Sequence, residues 1–249
     1  MGTTDTIAQV HPARLCEQLF AACTSTIVKG RVVDVVARNN SSTDGEGIAG
    51  VHVVQDGDAA TSIVAGTTVV YCCGLWNPPC TTGKEFMQGI KYHSVILPTR
   101  RVLSQCVFFA GHGDPEVYVR PDSTAYCTGF PEPARAVTEV PGEERVEVEK
   151  VEAIVQAVQS ASAGTDRAID WAQPSVKEKA CYLPTTPDGI PVIGQVKSGI
   201  YMASGHSCWG ILMGLATGES LASLIATGTS DRVDLAPFTP SRDTSVLSE

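Results

Sequence analysis

The chain has no unbroken apolar run of about 18 residues, so by that measure no membrane-spanning helix is expected. Positive charge is scarce: 18 lysines and arginines stand against 27 aspartates and glutamates, for a formal charge of −9. A nucleic-acid binder needs a basic face to displace phosphate counterions, so nucleic acid is not an expected partner. The nine cysteines never fall in C-x-x-C spacing and only Cys208 has a nearby histidine, His206, which argues against a zinc site. Most sit in apolar runs, where a reduced thiol acts as a small hydrophobe; a reducing compartment, the cytoplasm, is therefore the expected location. The opening MGTTDTIAQVHPARL lacks the basic and apolar stretches of a signal peptide. Gly2 and Thr6 fit the N-myristoylation pattern, but that pattern is too loose to outweigh an ordinary start.

The chain is of globular composition: 249 residues, 43% apolar and 18% charged. That length suits one large domain or two interleaved smaller ones. Pro12 fits the first position of a helix running to about Thr26. GRVVDVVARN and IAGVHVVQDG read as a hairpin around the turn cluster NNSSTDGEG, followed by two short strands in TSIVAGTTVVYCCG. Gly45, Gly47 and Gly50 spell G-x-G-x-x-G, yet a polar turn precedes them and strand residues follow. The dinucleotide fingerprint needs the reverse order, strand then helix, so this is a hairpin loop. From Tyr92 to Tyr126 four strands read as an antiparallel sheet, with a tight turn at Pro121, Asp122 and Ser123. Val148, Val151, Ile154, Val155 and Val158 recur at helical spacing over about 146–160. ACYLPTTPDGIPVIGQVKSGIYMASG reads as three strands, a helix follows over about 207–226, and Gly228 closes it. The tail from Asp231 onward reads as loop. The expected class is α/β in an α+β layered form, one domain carrying an inserted antiparallel block.

The chemistry concentrates in YMASGHSCWGILMGLATGESLASLI, Tyr201 to Ile225. A strand that runs through a glycine into a helix presents unpaired backbone N–H groups at the helix start. Those donors and the helix dipole favour negative charge. Gly205 and Gly210 carry no Cβ and would let a flat ligand approach the backbone. Trp209 could pack on it, and His206 or Ser207 could cap the helix or donate. A planar group that becomes anionic suits such a site, a flavin among other possibilities.

YLPTTPDGIPVIG followed by GIYMASGHSCWGILMGLATG resembles the C-terminal signature of the D-amino-acid-oxidase-like FAD-dependent oxidoreductases, to which glycine and sarcosine oxidases belong. QVHPARLCEQL, GRVVDV, TTVVYCCGLWN and EVYVRPDSTAYCTG are similar to other segments of that family. The resemblance implies FAD as cofactor and a small-molecule substrate. It implies that Gly205, His206, Ser207, Cys208, Trp209, Gly210 and Ile211 lie near the flavin. Val32 would sit by the adenine and Gly74 with Trp76 by the three-ring system. Asp188 and Gly189 would shape the turn opposite. Cys181 corresponds to the flavin-linking cysteine of sarcosine-oxidase-like proteins.

Two departures qualify these expectations. No strand, G-x-G-x-x-G and helix precede Val10, so the sequence reads as lacking the segment that holds the FAD pyrophosphate. An incomplete FAD-binding domain is expected over 1–84 and again over 177–230. An antiparallel substrate-type domain would fill 85–145, with its helix and linker in 146–176, and 231–249 would be tail. Such a chain is expected to bind FAD poorly or not at all, to be inactive as a truncated chain, and to expose strand edges. The second departure concerns substrate. Positions where relatives place a carboxylate-binding cation are Leu183, Cys208 and Leu212, none of which can pair with a carboxylate. Arg100, Arg101 or Arg120 would have to substitute. The expected activity is hydride removal from a carbon bearing an amine or hydroxyl; the alternative is a catalytically silent binding or trafficking module on the same fold.

Overall fold

A computed structural model describes residues 3, 5–6, 8–38, 47–55, 61–76, 87–111, 113–132, 137–162 and 168–242. Pro12 stands in the first turn of α1 (Pro12–Ala22), where a missing N–H removes no intrahelical bond. The helix stops at Ala22 rather than near Thr26, because Thr24, Ser25 and Thr26 bring side-chain oxygens that compete with helical bonding. β1 (Arg31–Arg38), β2 (Gly47–Val54) and β3 (Thr61–Ala65) form an antiparallel sheet in that order. The tip of the first hairpin, with Gly45, lies outside the described residues, but Arg38 pairs with Gly47 across its base. Gly47 and Gly50 are strand residues. A Cβ on Gly50 would lie 2.3 Å from the Val64 carbonyl oxygen, so its glycine serves sheet packing and not a phosphate.

β4 (Val69–Tyr71) enters a second sheet, and β5 (Gln88–Pro98) a third. β6 (Val107–Phe108), β7 (Glu116–Val119) and β8 (Thr124–Glu132) follow β5, and α2 (Val148–Ser162) comes next. β9 (Lys177–Thr185), β10 (Val192–Lys197) and β11 (Ile200–Ser204) complete the strands. The largest sheet is antiparallel, ordered β6-β7-β8-β5-β9. Ser123 takes the left-handed conformation (φ +58°) at the β7–β8 turn, and the Asp122 carboxylate accepts from the Thr124 hydroxyl at 2.6 Å. α2 lays Val151, Ile154 and Val158 onto Val95, Leu97, Ala125 and Cys127 of this sheet. Helical spacing of apolar residues thus becomes one buried stripe. Burial pushes the Cys127 thiol up to about 12, which makes it an inert core residue.

The smaller sheet is ordered β10-β11-β4, with β11 antiparallel to β10 and parallel to β4. Its core joins Tyr71, Val192, Ile200 and Met202 to Ile48 of β2. β4 stands last in its order, and β2 packs against it. β9 pairs with β5 along its whole length, so 177–185 runs within the largest sheet and the chain crosses to the smaller one at 186–191.

The helix expected from Ser207 begins as a single 3-10 turn (Ser207–Trp209) and continues as α3 (Gly210–Thr227). Gly228, at φ +80°, closes it with its N–H on the Leu224 carbonyl at 2.9 Å. Among the described residues, 207–227 is the one helix long and apolar enough to cross a bilayer by length and composition. Thr217, Ser220 and Leu221 of this helix are buried, and Glu219 meets Arg232 at 2.7 Å in solvent. The tail forms a 3-10 turn at Ala236–Phe238 and returns over β10.

Candidate functional site

Three turns converge beyond β11. Gly205 leaves the strand at φ +79°, and Ser207 is held at φ +50°, a conformation side chains seldom adopt outside strained turns. A Cβ on Gly205 would lie 2.9 Å from Thr186 Cγ2, so the 186–191 turn packs directly on it. The missing Cβ of Gly205 admits the neighbouring turn on that side. The Gly74 loop joins from the other side, its carbonyl accepting from the Ser204 hydroxyl at 3.2 Å. Gly74 (φ +59°) and Gly189 (φ +69°) are left-handed, and among the described residues a Cβ on either would meet nothing within 4 Å. The open backbone of the site is therefore at Gly74 and Gly189.

The 186–191 turn is built from its own polar groups. The Gly189 N–H reaches the Thr186 carbonyl at 3.0 Å, and the Ile190 N–H reaches Asp188 Oδ1 at 3.1 Å. The Thr186 hydroxyl closes the loop on the Ile190 carbonyl at 2.8 Å. Opposite it, the 3-10 turn leaves its first N–H groups without partners inside the helix, where partial positive charge collects. The half-buried His206 reaches Thr217 Oγ1 through Nε2 at 3.0 Å, and burial holds its imidazole below the ordinary histidine value. His206 thus fastens the turn to α3 as a neutral ring. Its side chain makes no capping bond to the 3-10 turn, although capping was one expectation.

The remaining sequence-derived positions divide. Ser207 is half-buried; Cys208, Trp209 and Ile211 are exposed on the same turn, and a Cβ on Gly210 would touch only His206 Cβ at an ordinary 3.6 Å. Trp76 points away toward the largest sheet: its Nε1–H donates to the Thr138 carbonyl at 2.7 Å and its ring meets Tyr182 edge-on, 6.3 Å between centroids. Val32 lies on β1, paired with Val53 in a different sheet. Cys181 pairs with Tyr92 in β9, and desolvation, then Glu144, pushes its thiol above the ordinary range. Leu183 lies on β9, opposite Ile90. The substitute cations are engaged elsewhere, Arg100 facing Asp170 at 3.5 Å and Arg120 stacked 5.5 Å over Tyr126.

Sequence reasoning missed Thr186, Ser204 and Thr217, which hold the turns together. It also missed Arg242, which binds the Asp188 carboxylate. These are ordinary polar residues in unremarkable contexts. No local pattern marks a threonine 11 residues along a helix, or an arginine 54 residues away, as a partner.

β11 turns through the left-handed Gly205 into a helix start beside a second, antiparallel sheet, which makes this a layered protein of mixed helix and sheet. The chain belongs to the FAD dependent oxidoreductase (DAO) family, whose model matches residues 2–224. Two yeast proteins, each carrying the name "putative oxidoreductase", are similar to it. The Schizosaccharomyces pombe protein (C1F5.03c) is 28% identical over 94% of this chain and 64% of its own length. The Saccharomyces cerevisiae protein (TDA3) is 24% identical over 96% of this chain and 52% of its own. Among solved structures, glycine oxidase from Geobacillus kaustophilus matches with a TM-score of 0.63 at 21% identity. The match takes in 86% of this chain and 52% of that one. L-proline dehydrogenase from P. horikoshii matches with a TM-score of 0.59 at 20% identity, over 81% of this chain and 50% of its own. The chain thus spans between half and two thirds of the length of these relatives, and the structural likeness establishes the fold.

Proposed function

We propose that this chain forms the flavin-facing part of an FAD-dependent oxidoreductase that removes a hydride from a carbon bearing an amine or hydroxyl. The observation that carries the reading is the open backbone at Gly74 and Gly189 beside the helix start that follows Gly205. Gly74 and Gly189 would let a planar ring lie against the backbone, and the amides after Ser207 would face its electron-rich edge. The exposed Trp209 indole would cover part of the ring, while Val32 would lie toward the adenine end. Bound FAD would supply the hydride acceptor, and the chain's own residues would bind, orient and exclude water. Leu183, Cys208 and Leu212 offer no cation, which favours a small-molecule substrate without a carboxylate. A cytoplasmic, reducing compartment suits the chain, since each described cysteine is unbridged.

The test is visible absorbance of the purified full chain, alone and after addition of FAD. Weak flavin binding by wild type at high FAD, reduced about tenfold or more by Gly189→Val or Gly74→Val, is the expected result, since a side chain at φ > 0 is strained and fills the space beside the backbone. Absence of binding at any FAD concentration overturns the reading. It would favour a binding module on the same fold. Flavin that precipitates with acid-denatured protein would further assign a thioether to Cys181; its raised thiol pKa works against that bond.

A further inference from the structure

Arg242 lies beyond the stretch that matches the family model, in a tail whose sequence reads as loop. Its side chain is nonetheless only 11% exposed, and that of Asp188 only 6%. Nε and Nη2 donate to Asp188 Oδ2 and Oδ1 at 2.6 and 3.0 Å, a bidentate fork on the carboxylate. Nη1 donates to the carbonyls of Pro191, Phe238 and Thr239 at 3.1, 3.2 and 3.3 Å, and Nη2 also reaches the Ile190 carbonyl. One guanidinium therefore ties the 188–191 turn to the backbone of 238–239. The tail is seated as well: a Cβ on Gly194 of β10 would lie 3.3 Å from Pro240 Cδ.

We propose that Arg242 is a positioning residue that fixes the paired turns 186–191 and 204–207 against each other, and with them the open face at Gly189. The route is continuous. Arg242 holds Asp188 and Ile190, the Thr186 hydroxyl holds Ile190, and Thr186 Cγ2 presses on Gly205. The hydrogen-bonded guanidinium also holds the Asp188 carboxyl well below the usual carboxylate range, so the pair stays charged through neutral and mildly acidic pH. A lysine could supply the charge but not the planar fork that reaches a carboxylate and several carbonyls at once.

The clamp itself does not depend on flavin; its bearing on the open face rests on the flavin-facing reading, and the test separates the two. Hydrogen exchange on the full chain reads the clamp. Arg242→Met is expected to speed exchange about tenfold or more over 186–191 and 204–209 while leaving 148–162 of α2 unchanged. Arg242→Lys is expected to recover little of that protection. Unchanged exchange in the methionine variant, loss shared equally by α2, or full rescue by lysine overturns the clamp. FAD titrated into both proteins reads the open face. Weaker binding by about tenfold with an altered flavin spectrum in Arg242→Met supports the proposal. Unchanged affinity and spectrum overturn the positioning role at the open face, whereas a wild type that binds no FAD overturns the flavin reading and not the clamp.

Discussion

α2 and α3 are helices of similar length, 15 and 18 residues, that meet very different surroundings. α2 is the more polar in sequence, yet it drives Val151, Ile154 and Val158 into the largest sheet at 5%, 0% and 3% exposure. α3 is apolar almost throughout, but its buried residues are Thr217, Ser220 and Leu221. Ile211, Leu212, Met213 and Leu215 stay exposed, Leu212 at 73%. The contrast extends to the sheets beneath. The largest sheet has five strands with a helix across its face, while the smaller has three strands. Burial follows from the surface a helix meets, not from its own hydrophobicity. The largest sheet and α2 hold their own core, and α3 presents apolar surface.

Ile154→Ala and Leu212→Ala break or sharpen this contrast most directly. The first empties a closed core and is expected to cost about 2–5 kcal/mol of unfolding free energy. The second removes side-chain atoms from solvent and is expected to change stability by less than about 0.5 kcal/mol. Denaturant unfolding measures both; a comparable loss for Leu212→Ala would mean that α3 is covered in solution.

Glycine-to-alanine changes probe the turns at smaller scale. At Gly205 and Gly74 the left-handed backbone alone costs roughly 1–2 kcal/mol. Gly205→Ala adds a contact 2.9 Å from a threonine methyl whose hydroxyl is already committed, so it should be the worse of the pair. Equal losses would show that the 186–191 turn yields.

Thr217→Val removes the partner of His206 Nε2 without changing side-chain shape. An expected loss of about 1 kcal/mol would show how firmly the 3-10 turn is fastened to α3. No loss would release His206 from that role.

The smallest expected effect is on pH dependence. Burial, then Lys91, holds His93 below its ordinary 6.5, and burial does the same for His206. The unfolded chain therefore binds more protons in that range. Stability is complete above pH 6.5 and declines as pH falls through 6.5 toward the lower folded values. Melting temperatures between about pH 8 and 5 should follow that slope, and His93→Gln should flatten it. Acidification opposes a nearby hydrogen bond too, since His93 Nε2 accepts the Glu147 N–H at 3.1 Å.

Period and punctuation made much of this legible in advance. Alternating β-branched runs announced the strands, valines and isoleucine at helical spacing announced α2, and Gly228 announced the end of α3. Gly189 and Gly205 stood out because glycine is the residue that turns left-handed without cost. Less legible was the direction in which each feature would face. Trp76 reaches Thr138 and Tyr182, partners far away in sequence, because a long side chain on a turn goes where an acceptor waits. Nor did the sequence show that Thr186 packs on the Cβ side of Gly205.

The sequence by itself determined the local elements, the family resemblance, the strand–glycine–helix junction and the lack of a cation at Leu183, Cys208 and Leu212. These depend on residues within a turn or two of one another, where backbone preference and spacing act directly. Only the tertiary structure decided that β9 completes the largest sheet and that the 186–191 turn and the Gly74 loop both meet the segment after β11. The same holds for Arg242, which grips Asp188 from 54 positions away. Such pairings arise when distant segments bury surface together, and a polar side chain finds its partner from whatever donors and acceptors that burial leaves within reach.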